Sequence, residues 1–305
     1  VSVYSAWYDD RGWAQYKLIY RQRYPHSIGL FYSAVTAAVG LKPMDEEYIT
    51  MGMAAYGSNF GAAWIKDKYF HVDHNQFRSV QNLHTGIDRG DLPFERNEDV
   101  AAAAQQVTED LITGIMRIAK HKVHTDNLVY CGGVALNCVA NRKLGHLFDN
   151  IWIMPNPGDA GASMGAAALS YGGKLNWTNA FLGHEIPGSW PVEAVVENLV
   201  QNQIVGVASG RAEFGPRALG NRSLLADPRG PEIKNRVNDI KRRQQFRPFA
   251  PVILEELADQ YFVMPRGWHH SRYMQAVADC QRPDLYPAIV HADGTSRVQT
   301  VPADG

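Results

Sequence analysis

An α/β fold in two domains is what this sequence predicts, and three observations predict it. Two strand–turn–helix units follow one another. In the first, Asn127 to Cys131 reads as a buried strand, Gly132-Gly133 as its turn, and Ala135 to Leu144 as the helix. In the second, Ile151 to Pro155 is strand-like, Pro157-Gly158-Asp159 turns, and Ala160 to Leu169 is a helix of small residues. A stretch rich in Gly, Asn and Pro, from Gly172 to Pro191, reads as a linker, and a new helix and strand follow it at Val192–Val200 and Ile204–Ser209. Finally, 305 residues are enough for two separate cores. The domains are placed at 1–175 and 190–305.

The remaining elements follow in order. Val1 to Tyr20 alternates apolar and polar residues around the D-D-R-G turn at Asp9 to Gly12, the pattern of a hairpin. Ser27 caps a helix in which Leu30, Phe31, Ala34, Val35 and Ala38 recur at helical spacing, and Gly40 ends it. Asp45, Glu46 and Glu47 precede Met51–Gly57, as acids favouring a helix start would. Gly57 to Glu95 reads as a mixed, loop-rich insertion. It contains His71 and His74, which lack the third and fourth ligands that zinc needs and are read as surface residues; His121, His124, His269 and His270 are read likewise. Asn97 is expected to cap a long helix to about Lys120, with Val100, Ala103, Ala104, Val107, Leu111, Ile115 and Ile118 on one side.

Charge is concentrated in the second domain. The net charge is only −1, which excludes a polyanion binder by bulk attraction. Yet Gln201 to Ala250 holds ten Lys and Arg against four Asp and Glu. Within it, Arg211, Arg217, Arg222 and Arg229 alternate with Phe214, Leu219, Leu224 and Leu225 around Gly215, Pro216 and Gly220. Guanidiniums interleaved with apolar residues are partly buried, and a buried guanidinium needs an anionic partner. A basic helix is expected from Glu232 to Gln245, followed by Arg247 in the Pro-stiffened F-R-P-F-A-P.

These segments carry a resemblance. F-G-P-R-A-L-G-N-R-S-L-L-A-D-P-R at Phe214 to Arg229 is similar to the signature of the NodU/tobramycin-type O-carbamoyltransferases. Six further segments are similar to the same family: Ser27–Thr36, Met51–Gly57, Cys131–Asn137, Gly158–Ala167, Phe246–Pro251 and Asp293–Val301. The resemblance implies the second lobe of an actin-like or sugar-kinase-like ATPase fold followed by a YrdC-like α/β domain. It also implies that the chain lacks the first lobe and the C-terminal tail of that architecture.

The activity implied is ATP-dependent transfer of a carbamoyl group from carbamoyl phosphate, through carbamoyl adenylate, to a small hydroxyl-bearing acceptor. The resemblance carries nucleotide binding and catalysis onto Arg217, with its neighbour Ala218, and onto Arg247 and Arg297. It carries contacts to the carbamoyl intermediate onto the Gly132-Gly133 turn and Asn137, and a weaker acceptor role onto Asp45, Glu46 or Glu47. Asp159 matches an iron ligand that acts beside two histidines from an earlier lobe; ATP and a divalent metal, iron, are thus the expected cofactors, with Mg for adenylation. Two other readings stay open: an enzyme of the tRNA threonylcarbamoyladenosine type, and a fragment that binds nucleotide without turnover. Cys131, Cys138 and Cys280 form no disulfide framework, so a reducing cytoplasm is expected. No apolar run reaches a membrane span, nucleic acid is not an expected partner, and the reading admits a homodimer.

Overall fold

The structure, a computed structural model, describes residues 1–303. It is mixed α/β with small sheets, and among the described residues no sheet is wider than three strands.

In the first half, β1 (Ser2–Tyr8) and β2 (Ala14–Arg21) form the expected hairpin, with Asp9 Oδ1 accepting from the N–H groups of Arg11 and Trp13 in its turn. Ser27 Oγ caps α1 (Ile28–Ala38), and Gly40 takes a positive φ just beyond its end. The short α2 (Glu47–Met53), α3 (Ala62–Tyr69) and the hairpin β3 (Phe70–Asp73) and β4 (Gln76–Ser79) surround α4 (Asn97–Val123). The predicted apolar face of α4, Val100 to Ile118, is buried against α1, Tyr69, Phe70 and Phe77 in one large core. Asn97 departs from its expected role. Arg96 occupies the cap position; the Asn97 amide instead accepts from Arg89 Nε at 3.0 Å and donates to Val39 O at 3.3 Å.

Next, β5 (Asn127–Tyr130) pairs in parallel with β6 (Asn150–Ile153). Leu128, Tyr130 and Ile151 pack on the core, but Val129 is 68% exposed, so the strand is buried on one face only. The helix expected from Ala135 to Leu144 is broken. Tight turns at Gly133–Leu136 and Arg142–His146 flank a single α-turn, α5 (Cys138–Asn141). Asn137 causes part of the break: its backbone is non-helical while its Oδ1 caps α5 at Ala140 N. The small-residue helix α6 runs Ala162–Tyr171, one tight turn after Asp159.

The predicted linker contains a strand. Phe181–Ile186 forms β7, and after α7 (Val192–Asn202) and β8 (Ile204–Ala208) it pairs with β9 (Gly210–Glu213). Strand β10 (Arg222–Ala226) pairs with β8. The basic helix is shorter than expected: α8 covers Ile233–Ile240, and Lys241 to Gln245 belongs to the following loop. Then come β11 (Val252–Leu254), α9 (Ala258–Tyr261), β12 (Phe262–Val263), β13 (Ala278–Cys280), β14 (Thr295–Ser296) and β15 (Gln299–Val301), with β12–β13–β14 one sheet and β11–β15 another.

A seam joins the halves. Ala135 and Ile153 share a core cluster with Trp268 and Ala276. Asn141, fully buried, donates to Gln275 O at 2.9 Å; Gln275 reaches back to the carbonyls of Ile153 and Met154; Arg142 forms a two-bond ion pair with Asp279. Gly145 lies so close to Arg266 O that no side chain fits there. Among the described residues, no helix is long and apolar enough to cross a membrane.

Candidate functional site

The arginine-rich loop between β9 and β10 sits on this seam. Gly215 (φ +151°) and Gly220 (φ +124°) supply its turns, and a side chain at Gly215 would meet Pro155 O. The loop is clamped by a residue that the sequence reading passed over. Glu213 Oε1 accepts three backbone N–H groups, from Leu219 at 2.8 Å, Asn221 at 3.0 Å and Arg222 at 3.2 Å. Arg222 turns inward to four carbonyls, including Ser209 O and His184 O, and Arg229 pairs with Asp227, so both serve the loop's own structure. Arg211 donates weakly to Gly183 O and is exposed.

Arg217 differs. Half-buried, it donates to Leu136 O at 3.0 Å, just after the Gly132-Gly133 turn. Burial, then the facing charge of Arg297, pushes its guanidinium down to about 10. Arg297 stands between β14 and β15, tied to the same loop because Gln299 Nε2 donates to Leu219 O at 2.9 Å. Its Nε is buried without a hydrogen-bond partner. Arg243 is likewise pushed down to about 10, by burial and then by Arg247 and Arg297. Thus Arg217, Arg297, Arg243 and Arg247 form a chain of mutually repelling cations from three separate loops. None of the four has a carboxylate partner among the described residues. In the sequence Arg243 is one more basic residue of the helix expected from Glu232 to Gln245, and nothing local sets it apart.

A second clamp holds Arg243 and Arg247. Asn238, fully buried, accepts from Arg243 Nε at 2.6 Å and donates to Gln245 O and Arg247 O. Arg247 lies 4.7 Å over the Tyr48 ring and Arg243 4.5 Å over Phe249. The loop Phe246–Pro251 therefore faces Met51–Gly57, and Tyr56 Oη donates to Phe246 O at 3.1 Å with the two rings edge to face.

His291 borders the same charges. Burial holds its imidazole down to about 4; Asp293 opposes this, while Arg297 and Lys234 add to it. His291 and Asp293 face Gln105 and Asn59 of the first half across a cleft of about 380 Å³. Asn137 adjoins Gln105, and both atoms of its amide are hydrogen-bonded. Gln105 exchanges two hydrogen bonds with it, and Gln105 is in turn held by Tyr32 Oη and Glu109. Gly132 and Gly133 are exposed with open space where a Cβ would stand, and Gly132 N is bonded to Pro157 O. Ala218 is exposed beside Arg217.

The acidic cluster is occupied locally. Glu47 accepts from Ser33 Oγ and Met44 N, Glu46 from Lys42 N, and Asp45 pairs with Lys42. Asp159 is exposed and makes no side-chain cap. Among the described residues no three His, Cys, Asp or Glu side chains come together in a way that would hold a metal, so Asp159 offers one ligand alone. A single carboxylate does not fit a resident iron.

Motifs from both halves thus meet at one seam, where guanidiniums without a carboxylate partner adjoin a glycine turn. Comparison with known proteins agrees in class. Residues 4–168 match the Carbamoyltransferase N-terminus family and residues 196–305 the Carbamoyltransferase C-terminus family, so the chain belongs to the carbamoyltransferases. It is 33% identical to nodulation protein NolO of Bradyrhizobium diazoefficiens over 318 residues, covering 90% of this chain and 58% of that protein. An uncharacterized protein of Synechocystis is 33% identical over 91% of this chain and 57% of its own length. Nodulation protein U of Sinorhizobium fredii is 35% identical over 69% of this chain and 41% of its own length. The chain spans about half the length of the curated relatives it matches.

Proposed function

We propose that this chain is part of an ATP-dependent O-carbamoyltransferase and carries its carbamoyl-adenylate chemistry. The observation that supports this most is the unpaired arginine chain across the seam: Arg217, Arg297, Arg243 and Arg247, from three loops, repelling one another without a carboxylate. Such a cluster is stabilised by a polyanion, and ATP and carbamoyl phosphate are both polyanions. Guanidiniums stay protonated near neutral pH, so these residues act as fixed electrostatic clamps where the departing phosphates gather charge. Mg would share that load on the nucleotide.

In this reading the second half is YrdC-like and forms the adenylate; the first half is actin-like and uses it. The open Gly132-Gly133 turn, next to Arg217, receives the activated carbamoyl group, with Asn137 fixed beneath it by Gln105. The acceptor hydroxyl then displaces AMP, forming the carbamate ester. The test is carbamoyl-phosphate-dependent release of pyrophosphate and AMP from ATP by the protein, with several alcohols offered. Release that needs both substrates supports the reading; ATP turnover indifferent to carbamoyl phosphate contradicts it.

A further inference from the structure

A second cavity stands away from the arginine chain. It encloses about 510 Å³ between α3, the β3–β4 turn, the middle of α4 and the Arg142–His146 segment. That size suits a small organic ligand. Its lining is divided. Val72, Leu111 and Leu147 make an apolar wall, while Lys66, Arg117, Lys143 and His146 bring cations and an imidazole. Lys66 pairs with Asp110 and Lys143 with Glu109. Arg117 is exposed and has no ion pair or hydrogen bond among the described residues. The β3–β4 turn packs closely on α4 at Gly114: a Cβ there would stand 3.0 Å from Asn75 O, and Asn75 is itself left-handed (φ 66°).

We propose that this cavity binds a small phosphate monoester with an apolar body. The body would lie on Val72, Leu111 and Leu147, and the phosphate on Arg117 and His146, with Lys143 within the same wall. The site is also linked to the seam. Lys143 holds Glu109, Glu109 accepts from Gln105 Nε2 at 2.8 Å, and Gln105 holds Asn137. A phosphate that draws on Lys143 competes with Glu109, so occupancy of the cavity bears on Asn137. None of this depends on the carbamoyltransferase reading, and its test uses no turnover.

The probe is phenyl phosphate, titrated calorimetrically into the full protein, with inorganic phosphate and phenol as partial ligands. Phenyl phosphate is expected to bind below about 1 mM, and each partial ligand at least about tenfold more weakly. Arg117→Ala, which removes an exposed and unpaired side chain, is expected to weaken it about tenfold. Arg297→Ala, which alters the seam, should leave that binding unchanged. Glu109→Gln frees Lys143 and should tighten binding about threefold. No saturable binding in the wild type, or equal binding in Arg117→Ala, overturns the site; unchanged or weaker binding in Glu109→Gln overturns the link.

Discussion

Arg297 has a buried Nε with no partner, and its charge faces two other guanidiniums. A fold retains such a residue at a cost, and residues of this kind cluster where a ligand supplies the missing partner. Arg247 is the more exacting test of geometry. Its planar fork lies over Tyr48, where a lysine would keep the charge but lose both the stacking and the paired donors. Arg247→Lys is expected to weaken ATP binding about tenfold or more, read by calorimetry, with little change in thermal stability. His291 gives a pH signature. Its folded-state value, about 4, lies below the ordinary 6.5, so the unfolded chain takes up the proton first. The neutral ring therefore contributes stability that is fully present above about pH 6.5 and is lost as pH falls through about 4. Thermal melts of His291→Asn between pH 7 and 4 should show a shallower decline than the wild type; parallel curves would exclude His291 as a source of acid lability.

At the scale of elements, the arginine loop owes its shape to Glu213 and the Phe246–Pro251 loop to Asn238. Glu213→Ala leaves three N–H groups without their acceptor, and a charge-assisted hydrogen bond contributes on the order of 1.5–3 kcal/mol. The variant should lose about 2–4 kcal/mol in denaturant unfolding and also bind nucleotide more weakly, since Arg217 loses its support. The sequence made the arginines visible, through their density among Leu and Phe, and it made the α4 face visible through its period. It did not make the clamps visible. Glu213 looks like one more acid in a charged loop, and nothing local says that its partners are backbone N–H groups six to nine residues on. The helix expected after Gly133 failed for a related reason: Asn137 satisfies Ala140 N with its side chain and so ends one turn while starting the next. The strand β7 was hidden because its partner β9 is distant in sequence, and Gly and Asn around it read as linker.

For the whole molecule, the seam is what brings separate motifs together. Cys131–Asn137, Met51–Gly57, Phe214–Arg229, Phe246–Pro251 and Asp293–Val301 are far apart in sequence, and the resemblance alone related them; their proximity in space comes from tertiary packing that periodicity cannot read. Gly145 guards that packing. Its backbone touches Arg266 O and a Cβ there has nowhere to go. Gly145→Ala is expected to cost about 1–3 kcal/mol and to speed proteolysis in the 172–179 segment, while the hairpin β1–β2 stays protected. Equal resistance in variant and wild type would show that the seam holds without that contact.

The most direct measurement is calorimetric titration of a non-hydrolysable ATP analogue into the wild type and into Arg217→Met and Arg297→Met. The account predicts saturable binding in the wild type and a loss of about tenfold or more in each variant, with the fold intact by circular dichroism. Equal affinity in all three proteins would mean that the arginine chain is not where the nucleotide lies.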